Sequence, residues 1–119
     1  MQIFLTGGTG FIGSHFLYQA QLAGHQVIAS RRTPKSTPKI KLTREPLWVN
    51  KLIEDLTPED LSGCDVVVHL ASFGVSPKPS TWEDCFKVNV LDTMHLLEIA
   101  NVEGVRGVIA AGSYAEYGS

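Results

Sequence analysis

The chain has little that would mark it for a membrane, for export or for a metal. No apolar run approaches the roughly 20 residues that a bilayer span requires. The N-terminus, Met1-Gln2-Ile3-Phe4-Leu5-Thr6-Gly7, has no basic stretch ahead of its apolar residues and reaches glycine too early for a secretory leader. Cysteine is scarce: Cys64 and Cys85 stand far apart without metal-ligand spacing, and no second pair supports a disulfide framework. Two reduced thiols in a cytoplasmic protein are the expectation, with no metal site. Nor does charge of one sign predominate. The 119 residues carry a formal net charge of −2, so nothing drives the molecule as a whole toward nucleic acid or an anionic membrane. Repeats and low-complexity tracts are absent too. What remains is one domain over residues 1–119, 44% hydrophobic and long enough to bury a single core.

What is present alternates. Ile3-Phe4-Leu5 is a short apolar run ending at glycines, as a buried parallel strand does. Phe11, Ile12, Phe16, Leu17, Ala20 and Ala23 then recur at helical spacing up to Gly24, a C-terminal stop. Val27-Ile28-Ala29 is a second strand. From Arg31 to Arg44 six bases occur with no acid, broken by Pro34 and Pro38, and this reads as an exposed loop. Leu47-Trp48-Val49 makes a third strand. Thr57-Pro58-Glu59-Asp60-Leu61 has the cap, proline and first-turn acids of a short helical turn. Asp65 to Ala71 is the strongest strand, apolar on both faces. A Pro- and Ser-rich loop leads to a long helix over Trp82–Val102, with Phe86, Val90, Leu97 and Ala100 on one face and Gly104 as its stop. Val108-Ile109-Ala110-Ala111 is the final strand. Strands alternating with helices predict a Rossmann-type three-layer α/β fold around a parallel sheet of about five strands with right-handed crossovers.

The chemistry signal is Thr6-Gly7-Gly8-Thr9-Gly10-Phe11-Ile12-Gly13. Its glycines lie between a predicted strand and a predicted helix, the context in which such a turn holds a dinucleotide. One glycine permits the tight turn, one lets backbone approach the pyrophosphate, and one lets helix pack closely on strand. The helix amides and dipole favour an anion at that end. NAD-using folds place an acid about 20 residues further on, at the end of the second strand, to bond the adenosine 2′-hydroxyl. Here Ser30, Arg31 and Arg32 occupy that place. A carboxylate would repel a 2′-phosphate and a guanidinium pairs with it, so NADP is expected in preference to NAD.

At this point the residues resemble the extended short-chain dehydrogenase/reductase family, the NAD(P)-dependent epimerase/dehydratases, along the whole chain. Thr6 to Gly13 is similar to the family's T-G-x-x-G-x-x-G turn, with Gly7, Gly10, Phe11, Ile12 and Gly13 around the cofactor. Asp55-Leu56 resembles the D-[IL] pair that holds the adenine ring. Val68-His69-Leu70-Ala71 resembles the H-L-A-A strand end, with Ser72 in place of the second alanine and Leu70, Ala71 and Ser72 beside the cofactor. Asn89-Val90-Leu91-Asp92-Thr93 is similar to N-V-x-G-T, with Asp92 departing from glycine. Ala111 to Gly118 resembles the S-S-x-x-V-Y-G segment, and Ser113 falls on the catalytic Ser/Thr that bonds the substrate oxygen. Glu116 replaces valine, and G-S-x-x-E-Y-G looks like the 4-ketoreductases of nucleotide-linked 4-keto-6-deoxy sugars. The motifs are specific as a set and weak singly. Taken from the residues alone, His69 on an apolar strand is a satisfied core histidine, Asn89 bonds nearby backbone, and Tyr117 is a packing residue.

The resemblance also exposes what is lacking. Family members pair a tyrosine with a lysine four positions later, the lysine lowering the phenol's pKa for proton exchange. No tyrosine here has a lysine at that spacing. The expectation is an N-terminal, cofactor-binding fragment of a nucleotide-sugar enzyme, without its substrate-binding C-terminal part and inactive alone. The alternative is a non-catalytic NADP-sensing or interaction module. A last strand left as a sheet edge further predicts a homodimer or higher assembly, joined there or at the Trp82–Val102 helix.

Overall fold

The computed structural model describes residues 1–70 and 87–110. Strand β1 (Gln2–Thr6) leads into helix α1 (Phe11–Leu22), and β2 (Gln26–Arg31) returns beside β1. After a long connection come β3 (Leu47–Asn50), 3₁₀ turns at Ile53–Asp55 and Pro58–Leu61, and β4 (Val66–His69). A π-helical stretch, Lys87–Asp92, runs into helix α2 (Thr93–Glu103), and β5 (Gly107–Ala110) follows. The five strands lie in the order β3-β2-β1-β4-β5 and every neighbouring pair is parallel. This is the Rossmann-like α/β arrangement. The chain reverses its direction of growth between β1 and β4, where open parallel sheets of this kind bind ligands beyond the carboxyl ends of their strands.

Because strand side chains alternate, each strand feeds two cores. Ile3, Leu5, Val27, Ala29 and Val68 pack under α1 with Leu17 and Ala20. Phe4 and Val67 face the other way, into a cluster with Leu56, Leu61, Leu96, Ile99 and Ala100. The parity settles where polar residues fall. Arg31 continues the 27, 29 series onto the α1 face, whereas His69 continues Val67 onto the α2 face.

Several expectations are corrected in detail. Arg31 is the last residue of β2, paired with Asn50, at the strand end where the cofactor argument put it, so the exposed basic loop begins only at Arg32. The buried face of α1 is Gly13, Ser14, Leu17, Ala20 and Gln21, and Phe11 and Ile12 are about 70% exposed (69% and 70%). A methylene-rich side chain at that face has no room where the helix lies against the glycine turn, so small residues take its first turn. The Trp82–Val102 helix is, over its described part, π-helical to Asp92 and α-helical only from Thr93. Of the expected face Ala100 is buried, together with Leu96 and Ile99, while Val90 and Leu97 are exposed, because the side of the helix that meets the sheet is the one carrying Leu96. Phe86 lies outside the described residues. The helix stops are as read, with Gly24 and Gly104 both at positive φ (88° and 79°).

Candidate functional site

The turn after β1 closes through one carbonyl. Gly7 has φ 79° and its oxygen accepts the Gly10 N–H at 3.1 Å. Gly13, in the first turn of α1, lies against that same peptide: a Cβ there would sit 1.7 Å from the Gly7 oxygen. Only glycine lets the helix come this close. Gly10 stands at the N-cap in extended conformation, exposed, with no side-chain cap on the helix and no acid in its first turn. Among the described residues no side chain caps the first-turn amides, which is the arrangement an anion completes.

Ser14, which the sequence reading passed over, ties this turn to the basic segment. Its buried hydroxyl donates to the Gly8 carbonyl at 3.0 Å and accepts the Lys39 N–H at 2.9 Å. Leu42 also packs against the α1-side core. Mostly exposed, the segment is nonetheless anchored at these points. A serine one position past the last glycine was the only local signal, and its partner lies 25 residues away.

At the end of β2 the Arg31 guanidinium is fixed on several sides. Its Nε donates to Asn50 Oδ1 at 2.8 Å and its Nη1 to the Ser36 carbonyl at 3.1 Å. Its Cζ lies 4.4 Å from the Trp48 ring centroid. Arg32 is exposed in the connection that follows.

Between β1 and β4 a buried histidine bridges two hydroxyls. His69 Nδ1 lies 2.6 Å from Thr6 Oγ1, and Nε2 lies 3.1 Å from Thr93 Oγ1 at the start of α2. Thr6 Oγ1 also accepts the Leu70 N–H at 3.1 Å. A hydroxyl can donate or accept, so these two partners can satisfy both nitrogens of a neutral imidazole. Burial pushes the ring's pKa below its ordinary range. This is the satisfied core histidine expected from the apolar strand.

The remaining site residues divide. Asp55 is exposed in the first 3₁₀ turn. The Leu56 side chain is 2% exposed and packs in the α2-side core, so the pair can present only the Asp55 carboxylate and backbone to a ligand. His95 on α2 approaches the Leu56 carbonyl at 2.8 Å and holds this turn against the helix. Leu70 follows β4 at the mouth of the β1/β4 crevice. Ala71, Ser72, Ser113 and Cys85 lie outside the described residues. Cys64 is half-buried, its thiol pushed up by burial, and among the described residues no group of acids, histidines and cysteines could hold a metal. No helix among them is long and apolar enough to cross a membrane.

Known proteins resemble the chain in sequence and in fold. The NAD dependent epimerase/dehydratase family matches residues 3–119. Among curated relatives, a decarboxylating sterol-4-alpha-carboxylate 3-dehydrogenase of Dictyostelium discoideum is 27% identical over 107 residues, covering 89% of this chain and 32% of that protein. A CDP-abequose synthase of Salmonella muenchen is 28% identical over 121 residues, covering 95% of this chain and 38% of that protein. Among solved structures, MoeE5 in complex with UDP-glucose and NAD superposes with a TM-score of 0.81 at 30% identity, covering 100% of this chain and 38% of that one. The chain thus spans about a third of the length of these relatives (32–38%).

Proposed function

The chain belongs to the NAD dependent epimerase/dehydratase family, and from that premise we propose that it forms the NADP(H)-binding part of an enzyme acting on a nucleotide-linked sugar. The observation that carries the dinucleotide is the uncapped α1 N-terminus drawn by Gly13 onto the Gly7 peptide. The residues fit the group: the Gly7–Gly13 turn would take the pyrophosphate, the Asp55 carboxylate the adenine, and Arg31 with Arg32 the 2′-phosphate. Leu70, Ala71 and Ser72 would line the crevice beside it. When bound, the cofactor supplies or removes a hydride, and these residues bind and orient it.

The substrate reading draws on two supports. MoeE5, at 30% identity, is described with UDP-glucose and NAD, and a CDP-abequose synthase is among the relatives. Within the class, the reduction of a 4-keto-6-deoxy sugar is favoured by Gly112-Ser113-Tyr114-Ala115-Glu116-Tyr117-Gly118, where Ser113 would bond the substrate carbonyl oxygen. A hydroxyl can orient that oxygen but does not replace a tyrosine tuned by lysine as proton donor. A polypeptide of these 119 residues is therefore expected to bind cofactor without measurable hydride transfer.

Titration calorimetry with NADPH, NADH and UDP-glucose tests the reading. NADPH should bind most tightly, and Arg31→Asp should weaken NADPH while sparing NADH. Tighter binding of NADH by the unaltered chain refutes the NADP assignment, and failure of both dinucleotides to bind refutes the site.

A further inference from the structure

Long exposed arginines are normally mobile, so one held on three sides has lost side-chain freedom that something must offset. Arg31, half-buried at the end of β2, is held in this way, and everything holding it is neutral: the Trp48 face, the Asn50 amide oxygen and the Ser36 carbonyl. Were the arginine a structural strut, a carboxylate would do the task better, because it would add charge to the same hydrogen bonds. Among the described residues no carboxylate pairs with it, and the salt bridge they do form is Lys51–Asp60. The Glu45 carboxylate accepts the Trp48 Nε1–H at 2.9 Å and so orients the indole. A guanidinium has five N–H groups. The bonds to Asn50 and Ser36 occupy one on Nε and one on Nη1, leaving others, and the full positive charge, for a ligand.

The holding groups are themselves placed by the sheet and by the glycine turn. Ala29 pairs with Trp48 and Arg31 with Asn50 across β2 and β3, so Arg31, Trp48 and Asn50 share the α1 face. Ser36 belongs to the loop that Lys39 anchors to Ser14, whose hydroxyl bonds the Gly8 carbonyl. Resting on the NADP(H) reading above, we propose that cofactor selectivity is set from β3: Trp48 and Asn50 are positioning residues that hold Arg31 as an uncompensated cation, preformed for the phosphomonoester on the adenosine ribose. Such a site gains affinity for a 2′-phosphate because the arginine has no freedom left to lose on binding.

Asn50→Asp separates this role from a structural one. It keeps an acceptor of the same shape beside Nε but neutralises the guanidinium and repels a phosphate. A strut would be tightened by the change, whereas the anion site would be impaired. Calorimetry on the 119-residue chain should show NADPH and adenosine 2′,5′-bisphosphate weakened roughly tenfold or more, with NADH and 5′-AMP unchanged within about twofold. Trp48→Leu, which removes the face under the guanidinium, should lower the NADPH-to-NADH preference in the same direction. Asn50 is exposed at a strand end, so Asn50→Asp decides the matter even if Trp48→Leu fails to fold. An unaltered NADPH-to-NADH ratio in folded Asn50→Asp overturns the inference while leaving the cofactor reading intact. A wild-type chain that prefers NADH, or binds neither, overturns the cofactor reading and this inference with it.

Discussion

A methyl group at Gly13 would stand 1.7 Å from the Gly7 oxygen, whereas one at Gly10 would meet that oxygen at 3.4 Å, ordinary contact. The two positions therefore separate folding from binding. Gly10→Val should leave the fold intact, since Gly10 is exposed and its φ of −78° suits any residue. Its side chain would instead stand over the amides offered to the pyrophosphate. Each lost charge-assisted bond costs about 1.5–3 kcal/mol, so NADPH affinity should fall by at least about tenfold in calorimetry while circular dichroism is unchanged. Undiminished affinity in the folded variant would place the ligand elsewhere. His69 gives the second residue-level expectation. Its folded pKa is depressed by burial below the ordinary 6.5, so the unfolded chain binds a proton more readily than the folded one. The contribution of the neutral ring is fully present above about pH 6.5 and is lost as pH falls toward the folded pKa. Urea midpoints should drop between about pH 7.5 and 5.5, and His69→Gln should flatten the drop. An equal slope in the variant would assign the pH dependence to other groups.

At the scale of elements, the two helices show how a face is chosen. Leu96 and Leu97 are adjacent, equally apolar, and opposite in fate: Leu96 is fully buried against Phe4, Leu56 and Val67, and Leu97 is 48% exposed. Leu96→Ala should cost about 2–5 kcal/mol in urea unfolding, and Leu97→Ala within about 0.5 kcal/mol. Comparable losses would mean that the helix is rotated from the arrangement described. The turn Pro58–Leu61 shows a local device working as its sequence promised. Burial raises the Asp60 pKa, but bonds from Lys51 Nζ at 2.9 Å and from the Thr57 N–H at 2.8 Å outweigh it and hold the carboxyl below its usual range.

Across the whole molecule, the sheet ends at β5 on one side among the described residues, with Ile109 60% exposed. Val90, Met94 and Leu97 add an exposed apolar stripe at helical spacing on the neighbouring helix. Burial contributes about 25 cal/mol per Å² of apolar surface, so a polypeptide of these 119 residues is expected to self-associate through these surfaces. Sedimentation velocity should show concentration-dependent dimers or larger species, reduced by Met94→Lys or Leu97→Lys. A monomer at all concentrations would remove this expectation.

The sequence alone determined whatever depends on near neighbours. The strand–glycine–helix order around Thr6–Gly13, the stops at Gly24 and Gly104 and the parallel alternation were legible because turn geometry and side-chain period act within a few residues. The motifs likewise placed Arg31 at the end of the second strand. Tertiary structure decided what depends on partners remote in the chain. The exposure of Phe11 and Leu97 follows from which side of each helix meets the sheet, and apolar residues on both sides left that open. Leu56 reads as half of a binding motif, yet its side chain belongs to the core that α2 completes. His69 is satisfied by Thr6, 63 positions away, and by Thr93, 24 positions away. Arg31 meets Asn50, 19 positions on, only because β2 and β3 pair in that register. Such contacts arise when strand pairing brings distant backbone within hydrogen-bonding reach, and no local pattern encodes which strand will be the neighbour.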